Sequence, residues 1–191
     1  MNSDLAEVVH KEAGKQMVQW CVDEVREAGA DRVILVVGHG ASIVKNEIPN
    51  CEYVLQEPQL GTGHAVMCAL PSLHGPAIVA FADTLIRADL EINPEVDGMI
   101  WVKKVKNPES YGVIELNKKK QVKNLIEKPK SFVSNLAAIG VYYFKERLMY
   151  SAEINTSFFF SEANMGCHYK ILNKLYTGAN AGVIYLPTEK K

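Results

Sequence analysis

Residues 56–66 read QEPQLGTGHAV. Gln56 and Gln59 carry side-chain amides that both donate and accept, which suits reading the edge of a nucleobase. Gly61 and Gly63 bracket Thr62, and glycine lets a backbone approach a flat base or a phosphate because no Cβ intervenes. A helix starting directly after the loop would add free N–H groups and the positive end of its dipole. A plain strand-to-helix turn with Thr62 as its N-cap fits the same letters. The stretch is not a Walker loop, which needs Gly-Lys-Ser/Thr at fixed spacing.

Asp83 is the second candidate. It follows the apolar run AIVAF, and a carboxylate at the end of a buried strand is costly unless something satisfies it. A hard cation such as magnesium, bridging to substrate phosphates, would do so. A helix N-cap fits a single aspartate equally well. The third candidate is Glu127-Lys128-Pro129. There glutamate could accept from sugar hydroxyls and lysine could neutralise a phosphate, or proline could simply stop a charged strand end. Tyr111-Gly112 opens a strand or makes a turn.

The elements that must hold these residues alternate in type. Lys15 to Ala28 places Met17, Val18, Cys21, Val22, Val25 and Ala28 at helical spacing, and Gly29 is a natural left-handed stop. Val33 to Val37 is a continuous β-branched apolar run, as in a strand buried on both faces. Tyr53 to Gln56 reads as a short strand, His64 to Leu70 as a helix broken by Pro71 and Gly75, and Ala77 to Phe81 as a third buried strand. This alternation predicts an α/β fold: a Rossmann-like, mixed, mostly parallel sheet flanked by helices. Ligands of such sheets bind at the carboxyl ends of strands, where both Gln56–Gly61 and Asp83 fall. In the second half GMIWVKKV, YGVIEL, QVKNLIEKP and LAAIGVYYFK are strand-like, and NKKKQ (Asn117 to Gln121) is a polar hairpin connection. SEANMGCHYKILNKLYTGANAG reads as a helix with Ile171, Leu172 and Leu175 on one side, and AGVIYLP as a last strand. No repeat or linker divides the chain, so residues 1–191 form a single expected domain.

Composition excludes several classes. The chain has 191 residues, 48% apolar and 23% charged, with a formal net charge of −1. It lacks the basic field of a nucleic-acid binder and any apolar run of the ~20 residues that a membrane span needs. The start of the chain has no apolar signal-peptide core. Cys21, Cys51, Cys68 and Cys167 are scattered, as are the histidines. That spacing argues against zinc and for reduced thiols in a cytoplasmic protein.

The order of the candidates carries a resemblance. Gln-x-x-Gln-Leu-Gly-Thr-Gly-His-Ala is followed by a strand ending in Asp83, then Tyr-Gly-Val, Glu-Lys-Pro and an apolar strand containing Gly140. This order resembles the sugar-phosphate nucleotidyltransferase family. SDLAEVVH, AGKQM and QLGTGHA stand where N-acetylglucosamine-1-phosphate uridylyltransferases carry SDLPKVLH, AGKPM and QLGTGHA. YGVIELNKKKQVKNLIEKPKSFVSNLAAIGVYYF is closer to glucose-1-phosphate thymidylyl- and uridylyltransferase-like proteins. The resemblance covers residues 3–145; 146–191 match nothing expected there.

The resemblance implies transfer of a nucleoside monophosphate from UTP or dTTP to a sugar-1-phosphate, with release of pyrophosphate and with Mg2+ as cofactor. It implies nucleotide contacts at Gln56, Gln59, Gly61 and Thr62, with Asp83 as metal ligand. Gly112, Glu127 and Lys128 would lie along the sugar phosphate, and Gly140 would line the sugar pocket. Asp83 and Lys128 would be the catalytic groups. Cytoplasmic homo-oligomers are common in the family.

The departures are equally specific. The family's first strand and its loop L-A-A-G-x-G-T-R lie upstream of where this match begins, so the domain reads as N-terminally truncated. Because that strand is central to the family's sheet, its absence implies a gap or an altered strand order. Pro-Lys of the family stretch is Ala6-Glu7 here, and the late acidic or amide ligand has no counterpart. Three outcomes follow: an enzyme of the family, an inactive relative that binds a nucleotide or serves as a scaffold, or a fragment that folds only with a partner supplying the missing strand.

Overall fold

A computed structural model describes residues 11–12, 14–82, 84–86, 92–93, 95–145, 168–171, 175–177 and 182–187. The chain opens with the short antiparallel pair β1 (Lys11–Glu12) and β2 (Lys15–Gln16). Helix α1 (Met17–Glu27) follows and buries Val18, Cys21, Val22 and Val25, the stripe expected of a helix lying on a sheet. Gly29 ends it at φ +100°, with its N–H donating to the Arg26 carbonyl at 2.9 Å.

The strand β3 (Ala30–Val37) explains its own composition. Val33, Leu35 and Val37 pack with α1, while Ile34 and Val36 pack on the opposite face with Val66, Ala69 and Leu70. A strand covered on both faces has no polar side to alternate with. Helix α2 (Ala41–Glu47) adds Val44 to the α1 face, and β4 (Glu52–Leu55) pairs parallel to β3. Helix α3 (Thr62–Ala69) leads through a 3₁₀ turn into β5 (Ala77–Phe81). Arg32 holds Glu52 across the β3–β4 edge by two contacts of 2.7 Å. That hydrogen-bonded guanidinium pulls the Glu52 carboxyl below its ordinary range.

β6 (Thr84–Ile86) leaves the main sheet. The main sheet continues with β7 (Gly98–Lys104), β8 (Gly112–Leu116), β9 (Val122–Glu127) and β10 (Leu136–Phe144). The β8–β9 hairpin turns through Asn117–Gln121, whose backbone closes at 2.8 Å. The last described strands are β11 (His168–Ile171), β12 (Leu175–Thr177) and β13 (Gly182–Pro187). The helix expected around Ile171 and Leu175 is therefore corrected. β11 runs parallel to β7, and β12 pairs with β6. Tertiary pairing outweighs the weak helical spacing of that stretch.

The sheet order is β11-β7-β10-β5-β13-β3-β4, with β8 and β9 branching from β10. β13 is antiparallel to both β3 and β5, so β3 and β5 run the same way. β10 is antiparallel to both β5 and β7, so β7 shares that direction. The carboxyl ends of β3, β4, β5 and β7 thus lie along one edge. β13 lies between β3 and β5 and pairs with both.

Replacing Ile184 by proline tests this. An interior strand commits each N–H to a neighbour, and proline removes one. The urea midpoint is expected to fall by the equivalent of about 2 kcal/mol. An unchanged midpoint would mean that residues 182–187 do not pair inside the sheet.

Candidate functional site

The site starts where β3 and β4 end. The Gln56 N–H donates to the Val37 carbonyl at 2.8 Å, which ties the first residue after β4 to the last of β3. The loop then passes a cis Glu57–Pro58 bond to Gly61, at φ +101° and ψ −178°. That region is open almost only to glycine. Gly61, not Thr62, is the N-cap of α3, and no side chain caps this end. This corrects the expected capping role of Thr62, which becomes the first helical residue, exposed on the surface. The carbonyl of Gly61 starts the helix by accepting from Ala65 N–H at 3.2 Å. The uncapped first N–H groups of α3 therefore point out of the carboxyl edge of the sheet.

Two amides frame this opening. Gln56 Nε2 donates to the Gly61 carbonyl at 2.9 Å and lies 3.2 Å from His64 Nδ1. The Gln59 amide lies over Gly38, where a Cβ would stand. Gly38 and His64 were not singled out from sequence. Gly38 carried a signal nonetheless: it closes the apolar run of β3 and so sits at the ligand-facing end of a strand.

A second group gathers on the β8–β9 hairpin. Gly112 faces Glu127 in register, and Glu127 Oε2 lies 2.8 Å from where a Cβ on Gly112 would be. Glycine here lets the carboxylate fold across the strand. Lys128 adopts φ +42°, and its N–H donates to the Tyr111 carbonyl at 3.0 Å, so the pair Tyr111–Lys128 closes the open end of the hairpin beside Gly112. Gly140 sits at the bulge of β10 with φ +76°. A Cβ there would meet Phe81 Cδ2 at 2.7 Å, so this glycine seats Phe81 at the end of β5.

The structure thus brings Gln56, Gln59, Gly61 and Thr62 into one cluster and Gly112, Glu127 and Lys128 into another. Gly140 and Phe81 stand at strands between them. From β4 to β10 is four strand spacings in the sheet order, about 20 Å. Asp83 follows Ala82 at the end of β5 but lies outside the described residues. No cluster of three or more His, Cys, Asp or Glu side chains converges among the described residues. Lys15, near the start of α1, is neutralised by Asp23 at 2.5 Å and stacks 4.2 Å above Trp20. Among the described residues no helix is long and apolar enough to cross a membrane.

The sequence model of the nucleotidyl transferase family matches residues 5–159. This chain belongs to that family. Its relatives include the bifunctional protein GlmU of Methanococcus maripaludis, 36% identical over 135 residues, which is 68% of this chain and 33% of that protein. GlmU of Geobacillus thermodenitrificans is 35% identical over 168 residues, 80% of this chain and 37% of the relative. The chain thus spans about a third of the length of these relatives. The same fold is seen in HddC of Yersinia pseudotuberculosis, with a TM-score of 0.72 at 17% identity over 93% of this chain and 86% of the other. It is seen also in a Bacillus anthracis protein assigned as a glucose-1-phosphate thymidylyltransferase, with a TM-score of 0.73 at 16% identity over 90% and 80%. The α/β fold, a mixed sheet flanked by helices, is therefore the fold of this nucleotidyltransferase family member, and most of its described strand pairs are antiparallel.

Two glycine substitutions separate backbone demand from side-chain room. Gly61→Ala forces a strained backbone and is expected to cost about 1–3 kcal/mol in denaturant unfolding. Gly38→Ala needs only the flexible Gln59 side chain to move and is expected to cost under about 1 kcal/mol. Equal costs would contradict this assignment.

Proposed function

We propose that this chain transfers a nucleoside monophosphate from UTP or dTTP to a sugar-1-phosphate and releases pyrophosphate. One observation supports the reading above the others. Two glutamine amides and the uncapped start of α3 gather where β3 and β4 end, at the carboxyl edge of the sheet. Amides suit a base edge, and unpaired helix N–H groups suit an anion.

In the proposed reaction a phosphate oxygen of the sugar phosphate attacks the α-phosphorus of the triphosphate. A new P–O bond forms, the α–β bridging bond breaks, and pyrophosphate carries away the electron pair. Catalysis of this kind is mainly alignment and charge neutralisation. Gln56, Gln59, Gly61 and Thr62 would hold the nucleotide at β4 and α3. Gly112, Glu127 and Lys128 would hold the sugar phosphate at the hairpin, with Glu127 accepting from hydroxyls and Lys128 offsetting phosphate charge. Gly140 would keep Phe81 clear of the sugar. The two clusters stand on different parts of one sheet, which suits an extended pair of substrates meeting end to end.

Magnesium, when bound, would supply further neutralisation of phosphate charge. The described residues offer no protein cage for it. Magnesium is commonly held by one or two carboxylates together with substrate phosphates. Asp83 is the carboxylate proposed for it.

Calorimetric titration and pyrophosphate release test the proposal. With magnesium, UTP or dTTP and a panel of sugar-1-phosphates, at least one combination is expected to release pyrophosphate. Gln56→Ala and Thr62→Ala should each weaken nucleotide binding about ten-fold, and Asp83→Ala should remove its magnesium dependence. A folded chain that binds neither nucleotide would contradict the proposal and leave the scaffold alternative.

A further inference from the structure

The Gln56 side chain is held in a way that fixes which of its atoms a ligand meets. Its Nε2 lies 2.9 Å from the Gly61 carbonyl oxygen. A carbonyl can only accept, so the amide atom facing it is the nitrogen. The same nitrogen lies 3.2 Å from His64 Nδ1. An N–H facing an imidazole nitrogen requires that nitrogen to accept, which puts the ring proton on Nε2. Cys68, one turn further along α3, rests against the ring, with Sγ 3.8 Å from His64 Nε2 and 3.9 Å from Nδ1. Both N–H bonds of Gln56 are thereby committed inside the loop. Among the described residues nothing donates to its Oε1.

What Gln56 offers a ligand is therefore an acceptor. Uracil and thymine carry an imide N3–H that donates to such an oxygen. Cytosine presents an unprotonated N3 at the same place and would meet oxygen with lone pair. We propose that His64 is a positioning residue. By accepting from Gln56 Nε2 it keeps the amide from flipping, and so makes this loop select an imide base over cytosine. The inference rests on the reading of the loop as a nucleotide site, and Gly61 acts with His64 by supplying the other acceptor. His64 touches Gln56 and is not required to touch the base.

The test has two parts. The first needs no nucleotide. Nitrogen NMR of the histidine-labelled, ligand-free chain should show His64 with its proton on Nε2; a proton on Nδ1 would overturn the proposal. The second compares UTP with CTP affinity in the wild-type chain, His64→Leu, His64→Asn and Gln56→Ala. Wild type is expected to prefer UTP, and His64→Leu to reduce that preference about five-fold or more, since the freed amide can turn its donor outward. His64→Asn, whose side-chain oxygen can replace Nδ1 as acceptor, should restore most of it. In the Gln56→Ala background His64→Leu should change nothing. An undiminished preference in His64→Leu, or an equal loss in the Gln56→Ala background, would overturn the positioning role while leaving the nucleotide site standing. If the wild type binds neither nucleotide, the site reading falls and takes this inference with it.

Discussion

Six residues, Gly182–Pro187, join what would otherwise be two half-sheets. In the path β11-β7-β10-β5-β13-β3-β4 no other strand among the described residues links β3 to β5. The pairing is in register on both sides, with Ile184 opposite Ile34 and Val79 at once. β3 brings Gly38 and the tie to Gln56, whereas β5 brings Phe81 and, through β10, the hairpin of Gly112 and Lys128. The distance between the two candidate clusters is thus set by a strand that belongs to neither. A sheet edge left open at β3 and β5 would expose two rows of unpaired backbone groups, which proteins avoid.

Within that frame the site is built mostly from backbone. β3 and β5 are buried on both faces, so their ends are rigid. The chain leaving them is shaped by glycines where close approach or unusual torsion is needed. Gly61 sets the turn into α3, Gly38 gives room to Gln59, and Gly112 gives room to Glu127. Gly140 lets β10 bulge around Phe81. Polar side chains then add direction at few points. Such an arrangement fits a reaction in which the substrates carry the reactive atoms and the protein aligns them.

Much of this was legible in the chain because the signals were local. The two-sided burial of β3 is written in its unbroken Val and Ile run, and Gly29 marks the end of α1. Asn117–Gln121 announces the β8–β9 turn. The motif QLGTGHA placed the loop correctly between β4 and α3. What could not be read depended on partners distant in sequence. Residues 168–171 and 175–177 carry apolar residues at roughly helical spacing, and only pairing with β7 and β6 makes them strands. The antiparallel insertion of β13 is set by register with β3 and β5, which no short window contains. Thr62 looked like a cap by residue type, but the left-handed torsion of Gly61 moved the cap one residue earlier. The contacts of Gln59 on Gly38 and of Gln56 on His64 bring together residues 21 and 8 positions apart, too far for a turn rule.

The central claim is that the carboxyl edge of the sheet is the ligand-binding edge. Mapping backbone amide shifts during titration of the whole chain with UTP and magnesium tests it most directly. The account predicts that the largest shifts fall on Gly38, Gln56, Gln59, Gly61, Thr62 and His64, with Gly112 and Lys128 joining them when a sugar-1-phosphate is added. Shifts concentrated instead at the opposite edge, around Ala30, Glu52 and Ala77, would contradict it.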